Sequence, residues 1–257
     1  MLNLLKHLPD NSHVNDIDTG LSTKPSQITD GIALKTEHVT KIFDSGAGRV
    51  EALKDINLEV KRGEFVSVMG PSGSGKSVLL NILGALDRPT SGKVFINGLD
   101  IFALGTAEIA TMRNLLIGYI FQSYNLVNRT TVQTNVKLPA IIAGMSPSEA
   151  NSRSMKILEY LGISDKAKQK PANLSGGQQQ RVAIARCLMN NPAIILADEP
   201  TGNLDTKTGQ DIFSMLNELS RKFKRTIIMV THNPELAELT DRTIVIKDGR
   251  IDKEIIN

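Results

Sequence analysis

The chain has 257 residues, 40% of them hydrophobic and 22% charged, and its formal net charge is only +3. Those proportions exclude a disordered polypeptide and a membrane-embedded bundle, and basic residues scattered rather than clustered argue against nucleic acid as a partner. Cys187 is the sole cysteine, which excludes an intramolecular disulfide, fits a reducing compartment, and reads as a small apolar filler on a helix rather than a catalytic thiol.

In chain order, residues 1–31 are rich in Asn, Asp, Ser and Thr without apolar periodicity and end in the turn Thr29-Asp30-Gly31, so a flexible extension is expected ahead of a domain over 32–257. Strands are predicted at Ile32–Val39, Ile56–Val60 and Phe65–Met69, the last apolar enough to be buried. A glycine-rich break over Gly70–Gly75 then leads into a helix over Lys76–Leu86. Lys93–Ile96 and Ile117–Phe121 read as a strand pair, with Asn97-Gly98 as a turn and a helix over Ala107–Asn114.

From about Val132 to Lys170 the spacing is mainly helical, and Ser146-Pro147-Ser148-Glu149 supplies an N-cap and first turn for a helix carrying Met155, Ile157, Leu158 and Leu161. Alternation then resumes. Helices are predicted at Gly177–Met189, Thr208–Phe223 and Pro234–Leu239, and strands at Ala193–Ala197, Thr226–Val230 and Thr243–Ile246. Such alternation points to an α/β fold with a mostly parallel sheet covered on both faces. No stretch approaches the roughly 20 apolar residues that cross a bilayer, so membrane work calls for a partner chain.

Gly70-Pro71-Ser72-Gly73-Ser74-Gly75-Lys76-Ser77 fills every position of the G-x-x-x-x-G-K-[ST] phosphate loop, between a buried strand and a helix. The glycines let successive backbone N–H groups curl inward toward phosphate oxygens, and the helix presents its positive end to the same anion. Lys76 is placed to reach the β- and γ-phosphates of a nucleotide and Ser77 to ligate Mg²⁺.

A second apolar run, Ile194-Ile195-Leu196-Ala197, ends in Asp198-Glu199 and so delivers two carboxylates to the sheet edge. One metal-holding carboxylate is expected there, and a second suggests hydrolysis. Asp198 is expected to hold Mg²⁺ through its waters, and Glu199 to polarise a water for in-line attack on the γ-phosphate.

Between these motifs lies Leu174-Ser175-Gly176-Gly177-Gln178, which resembles the signature of ABC ATPases. The family's other landmarks also occur in order: Gln122 ahead of the helical insert, Leu204-Asp205 after the acidic pair, and His232 after a strand. Gly118-Tyr119-Ile120-Phe121-Gln122 and the run from Leu196 to Asp205 look like the subgroup serving macrolide-type exporters and lipoprotein release.

The resemblance implies a P-loop core, a small antiparallel β sub-domain and a helical sub-domain inserted over about 123–175. It implies ATP and Mg²⁺ as cofactors, ATP-dependent head-to-tail pairing with a second copy, and an integral membrane permease that holds the chain at the cytoplasmic face. Under it, Ser175 and Gly177 cap the γ-phosphate bound to the partner copy and Asp205 organises the seam. Gln122 senses Mg²⁺ and the attacking water, and His232 contacts the γ-phosphate. Phe43 stacks on adenine, although it departs from the commoner tyrosine. Val78 replaces a more usual threonine at the end of the loop and leaves Ser77 intact.

About fifty residues separate Gln122 from the signature, which suits a transport cassette rather than one split by a long coiled coil. A soluble ABC protein acting on ribosomes usually carries two cassettes. A cassette that signals across the membrane without transport, of the cell-division or lipoprotein-release kind, has the same motifs and stays as the alternative. Binding without hydrolysis is disfavoured, because Lys76, Asp198, Glu199 and His232 are all present.

Overall fold

The computed structural model describes residues 31–46 and 48–257. Apart from Gly31, the expected extension over 1–31 lies outside the described residues. Strands β1 (Ile32–Ser45) and β2 (Gly48–Lys61) form a long antiparallel pair. Along β2, Ile56, Leu58 and Val60 are buried while Asp55, Asn57 and Glu59 are exposed, the period-two pattern of a sheet with one solvated face. Strand β4 (Ser91–Ile96) pairs with the other side of β1, and β5 (Leu99–Asp100) folds back on it.

The larger sheet runs in the order β10-β9-β3-β8-β7-β6. Its parallel strands are β3 (Phe65–Met69), β6 (Ile117–Ile120), β7 (Ile194–Asp198), β8 (Thr226–Val230) and β9 (Arg242–Lys247). Strand β10 (Arg250–Ile256) closes the edge, antiparallel to β9. The central strands have no solvated face. Phe65, Ile195, Ala197, Ile227 and Met229 enter one hydrophobic cluster, and Val66, Val68, Ile194, Leu196, Ile228 and Val230 enter the opposite one. Burial on both sides is why these segments are unbroken apolar runs.

Helix α1 (Lys76–Leu83) and the antiparallel sheet cover one face, and α2 (Thr106–Leu116) leads into β6. On the other face pack α3 (Val132–Ile142), α4 (Pro147–Tyr160), α5 (Gly176–Leu188) and α6 (Thr206–Phe223). The short α7 (Pro234–Glu238) follows β8. Thr131 caps α3, and Ser146 caps α4 with Pro147 in its first turn, so each helix starts where its side-chain oxygen meets an otherwise unpaired N–H. Val136 and Ala140 of α3, with Ile157 and Leu158 of α4, are fully buried beside Ile184 and Leu188 of α5, so the inserted helices share their core with the sheet.

One expectation is corrected. Lys93–Ile96 and Ile117–Phe121 do not pair, because β4 belongs to the antiparallel sheet and β6 to the parallel one. The Asn97-Gly98 turn instead returns β4 onto β5, with φ of 52° and 77°, the left-handed pair that a tight hairpin requires. Four extended segments lie beyond the expected strands: β1 continues from Val39 to Ser45 through register shifts, β2 begins at Gly48 rather than Ile56, β5 is a short strand after the Asn97-Gly98 turn, and β10 is an exposed edge strand.

Candidate nucleotide site

The loop between β3 and α1 folds as its glycines demand. A Cβ at Gly70, whose φ is 150°, lies 2.0 Å from the Ile246 carbonyl oxygen, and one at Gly75, with φ 104°, lies 2.5 Å from that of Ala52. Only glycine permits both the left-handed backbone and the close approach. Inside this curl the Lys76 Nζ donates to the carbonyls of Gly70 at 2.9 Å and Pro71 at 2.8 Å. Burial pulls the Lys76 pKa below the ordinary lysine value, against the opposing charges of Glu199 and Asp198. The Ser74 hydroxyl is buried without a hydrogen-bond partner among the described residues.

Strand β7 carries Asp198 at its end and releases Glu199 into a left-handed φ of 45°. That turn is held by the Glu199 N–H donating to the Val230 carbonyl at 3.0 Å. The neighbouring strand β8 leads to His232, whose Nε2 lies 2.6 Å from Glu199 Oε1. Burial, and next the charge of Glu199, raise the Asp198 carboxyl above its usual range, with Lys76 and His232 opposing. A cleft of about 260 Å³ is bounded by Ser72, Gly73, Gly75, Lys76, Ser77 and Val78 on one side and by Glu199 and His232 on the other. The fold thus brings the loop, Glu199 and His232 together from three separate parts of the chain, while Asp198 ends β7 outside this lining.

Other expected residues stand outside that lining. Gln122 donates through Nε2 to Asn203 Oδ1 at 3.3 Å, and Asn203 returns a bond from Nδ2 to the Gln122 carbonyl at 3.1 Å. Phe43 is 43% exposed on β1, with the Lys41 ammonium 4.9 Å from its ring centroid. Ser175 is exposed and caps α5 reciprocally with Gln178. Gly177 is buried, and a Cβ there meets Thr208 Cγ2 at 2.4 Å. Asp205 is exposed and caps α6 by accepting from the Thr208 N–H at 3.0 Å. Bonds to Thr208 hold its carboxyl below the ordinary value.

Two contacts were not assigned from the sequence. Asn203 clasps Gln122, as above. Gln180, fully buried on α5, donates to the Pro200 carbonyl at 2.8 Å and so ties the signature helix to the segment after Glu199. Asn203 lies within the run from Leu196 to Asp205 and Gln180 two residues past the signature, but only the fold reveals partners so distant in sequence.

No group of three or more His, Cys, Asp or Glu able to hold a metal occurs among the described residues. The Ser77 hydroxyl and the Asp198 carboxylate are hard oxygen donors of the kind Mg²⁺ takes beside phosphates and water. The unpartnered Ser74 hydroxyl and the inward-turned Lys76 likewise fit an anion in the loop.

The family model for the ABC transporter matches residues 53–202, and the chain belongs to that family. It is 51% identical to an ABC transporter ATP-binding protein of Thermotoga maritima, over 83% of this chain and 91% of that one. It is 46% identical to the lipoprotein-releasing system ATP-binding protein LolD of Bacteroides thetaiotaomicron, over 86% of this chain and all of that one. The match to the macrolide export ATP-binding/permease protein MacB of Marinobacter nauticus is 48% over 85% of this chain, which spans 34% of MacB. Among solved structures, the dimeric ATP-binding cassette MJ0796 bound to ADP and Pi superposes with a TM-score of 0.81 at 45% identity, covering 87% of this chain and 98% of that one. The chain is therefore an ATP-binding cassette with the ABC ATPase fold.

Proposed function

We propose that this chain hydrolyses ATP with Mg²⁺ as the engine of an export or extrusion complex whose membrane-spanning part is a separate permease. The carrying observation is the cleft in which Lys76 and Ser77 face Glu199 and His232. On nucleotide binding, the Lys76 ammonium exchanges the Gly70 and Pro71 carbonyls for the β- and γ-phosphates. Ser77 and Asp198 would hold Mg²⁺, and Gln122, clasped to Asn203, would sense it and the attacking water. Mg²⁺, when bound, would neutralise negative charge on the β- and γ-phosphates. Glu199 accepts the proton of the attacking water, and His232 orients the Glu199 carboxylate while contacting the γ-phosphate.

Ser175, Gly177 and Asp205 stand outside this cleft and serve the site of a second copy, while Phe43 stacks on adenine. Residues 32–257 act as one cassette, with the insert over about 123–175 as its helical sub-domain. The permease docks in a groove of about 430 Å³ beside the Gln122 segment, where Leu86 and Ile142 are 45% and 73% exposed. That contact holds the chain at the cytoplasmic face. A separate permease is favoured by the matches to LolD and the Thermotoga protein, which extend over nearly the whole of those chains. The LolD match equally supports a second reading, in which ATP-driven closure serves lipoprotein release or a signal across the membrane rather than export.

The test is turnover in Glu199→Gln. Phosphate release is expected to fall by about two or more orders of magnitude with ATP still bound. Turnover equal to the unsubstituted chain sinks the assignment of Glu199 as base.

A further inference from the structure

Helix α1 bears Lys76 and Ser77 at its first turn, and its far end is anchored by contacts the nucleotide reading leaves unused. The Tyr119 hydroxyl, from β6, donates to Asn81 Oδ1 at 3.0 Å. The same asparagine's main-chain carbonyl accepts the N–H groups of Leu86 at 2.8 Å and Asp87 at 3.3 Å, closing the chain after the helix. The Tyr119 ring lies against Gly84, where a Cβ is only 2.6 Å from its Cε2, and stacks on Phe121 with centroids 4.2 Å apart and planes inclined by 15°. Phe121 directly precedes Gln122, and both aromatic rings line the groove of about 430 Å³.

We propose that Tyr119 is a positioning residue which, through Asn81, fixes the angle of the phosphate-loop helix and passes displacement of the groove wall to Lys76 and Ser77. The role rests on the ATPase reading above. An α-helix rises about 1.5 Å per residue, so Asn81 is roughly 8 Å from Lys76 along the axis of a two-turn rod. A rod so short transmits a tilt at one end to the other. Burial, then the charge of Asp198, hold the phenol above its ordinary range, so it stays protonated and remains a donor at neutral pH. Gly84 admits the ring, and the stack on Phe121 ties its motion to the segment that carries Gln122.

The readout is the affinity of the purified chain for mant-ATP with Mg²⁺, alongside steady-state ATP hydrolysis. Tyr119→Phe keeps the ring, its stack and the Gly84 contact and removes only the hydroxyl. It is expected to weaken binding about fivefold, the worth of one ordinary hydrogen bond. Asn81→Ala is expected to do the same, and the double substitution to add nothing further. In turnover the loss appears as a raised KM for ATP with kcat within about twofold, because Glu199 and His232 follow β7 and β8 and do not ride on α1. A purely structural role lowers the melting temperature without this split. Unchanged affinity in Tyr119→Phe, additive effects in the double variant, or a fall in kcat at constant KM each overturns the proposal. An unsubstituted chain that fails to bind mant-ATP overturns the ATPase reading, and this role with it.

Discussion

Lys76 illustrates how far single residues explain the site. Its ammonium is enclosed by the loop's own carbonyls, so the energy that binds phosphate is the difference between those two neutral acceptors and an anion. Lys76→Ala is therefore expected to weaken ATP binding at least tenfold, measured by equilibrium titration, and unchanged affinity contradicts the clamp. Cys187 makes the opposite case. Burial pushes its thiol up to about 12, so the reactive thiolate is suppressed well beyond neutral pH. At about pH 8 the native protein is expected to leave Ellman's reagent unreacted, with the thiol appearing only in guanidinium; rapid labelling of the native chain contradicts its burial. The phosphate loop and the acidic pair were legible in the sequence because each is contiguous. The Gln122–Asn203 clasp and the Gln180–Pro200 bond were not, since they join residues 81 and 20 positions apart that only the fold brings together.

At the level of elements, strands buried on both faces and helices with capping residues were read within a few residues. Phe65–Met69 and Thr226–Val230 agree at both ends, because an unbroken apolar run between turns admits few alternatives. The misses have separate causes. β10 has six of seven residues exposed and so leaves no apolar period, although Asp248-Gly249 marks the hairpin that creates it. β4 and β6 were paired wrongly because chain proximity does not say which sheet a strand joins. The loop geometry itself is testable. Gly70→Ala forces a Cβ against the Ile246 carbonyl in a left-handed backbone and is expected to cost about 1–3 kcal/mol in urea unfolding. Ser146→Ala, which removes the cap of α4, is expected to cost about 1 kcal/mol. A denaturation midpoint unmoved by either substitution contradicts the corresponding account.

At the scale of the whole molecule, the residues assigned to the nucleotide fall into two separate groups. The loop, Glu199 and His232 line one cleft, while Ser175 and Asp205 cap helices elsewhere on the surface and Gly177 packs against a neighbouring helix. Ser175 and Gly177 open α5, whose positive end is available to an anion brought by another molecule. Under the function proposed above, a second copy turned head to tail would supply that anion as its own γ-phosphate, with ATP joining the two copies and hydrolysis releasing them. The most direct measurement is light scattering coupled to size-exclusion chromatography on Glu199→Gln, with and without ATP. A monomer that becomes a dimer only with ATP is the predicted result, and it should revert when Ser175 is replaced by a bulky residue such as Phe. A dimer that forms equally without nucleotide, or a monomer that persists with ATP bound, contradicts the shared site and the roles assigned to Ser175, Gly177 and Asp205.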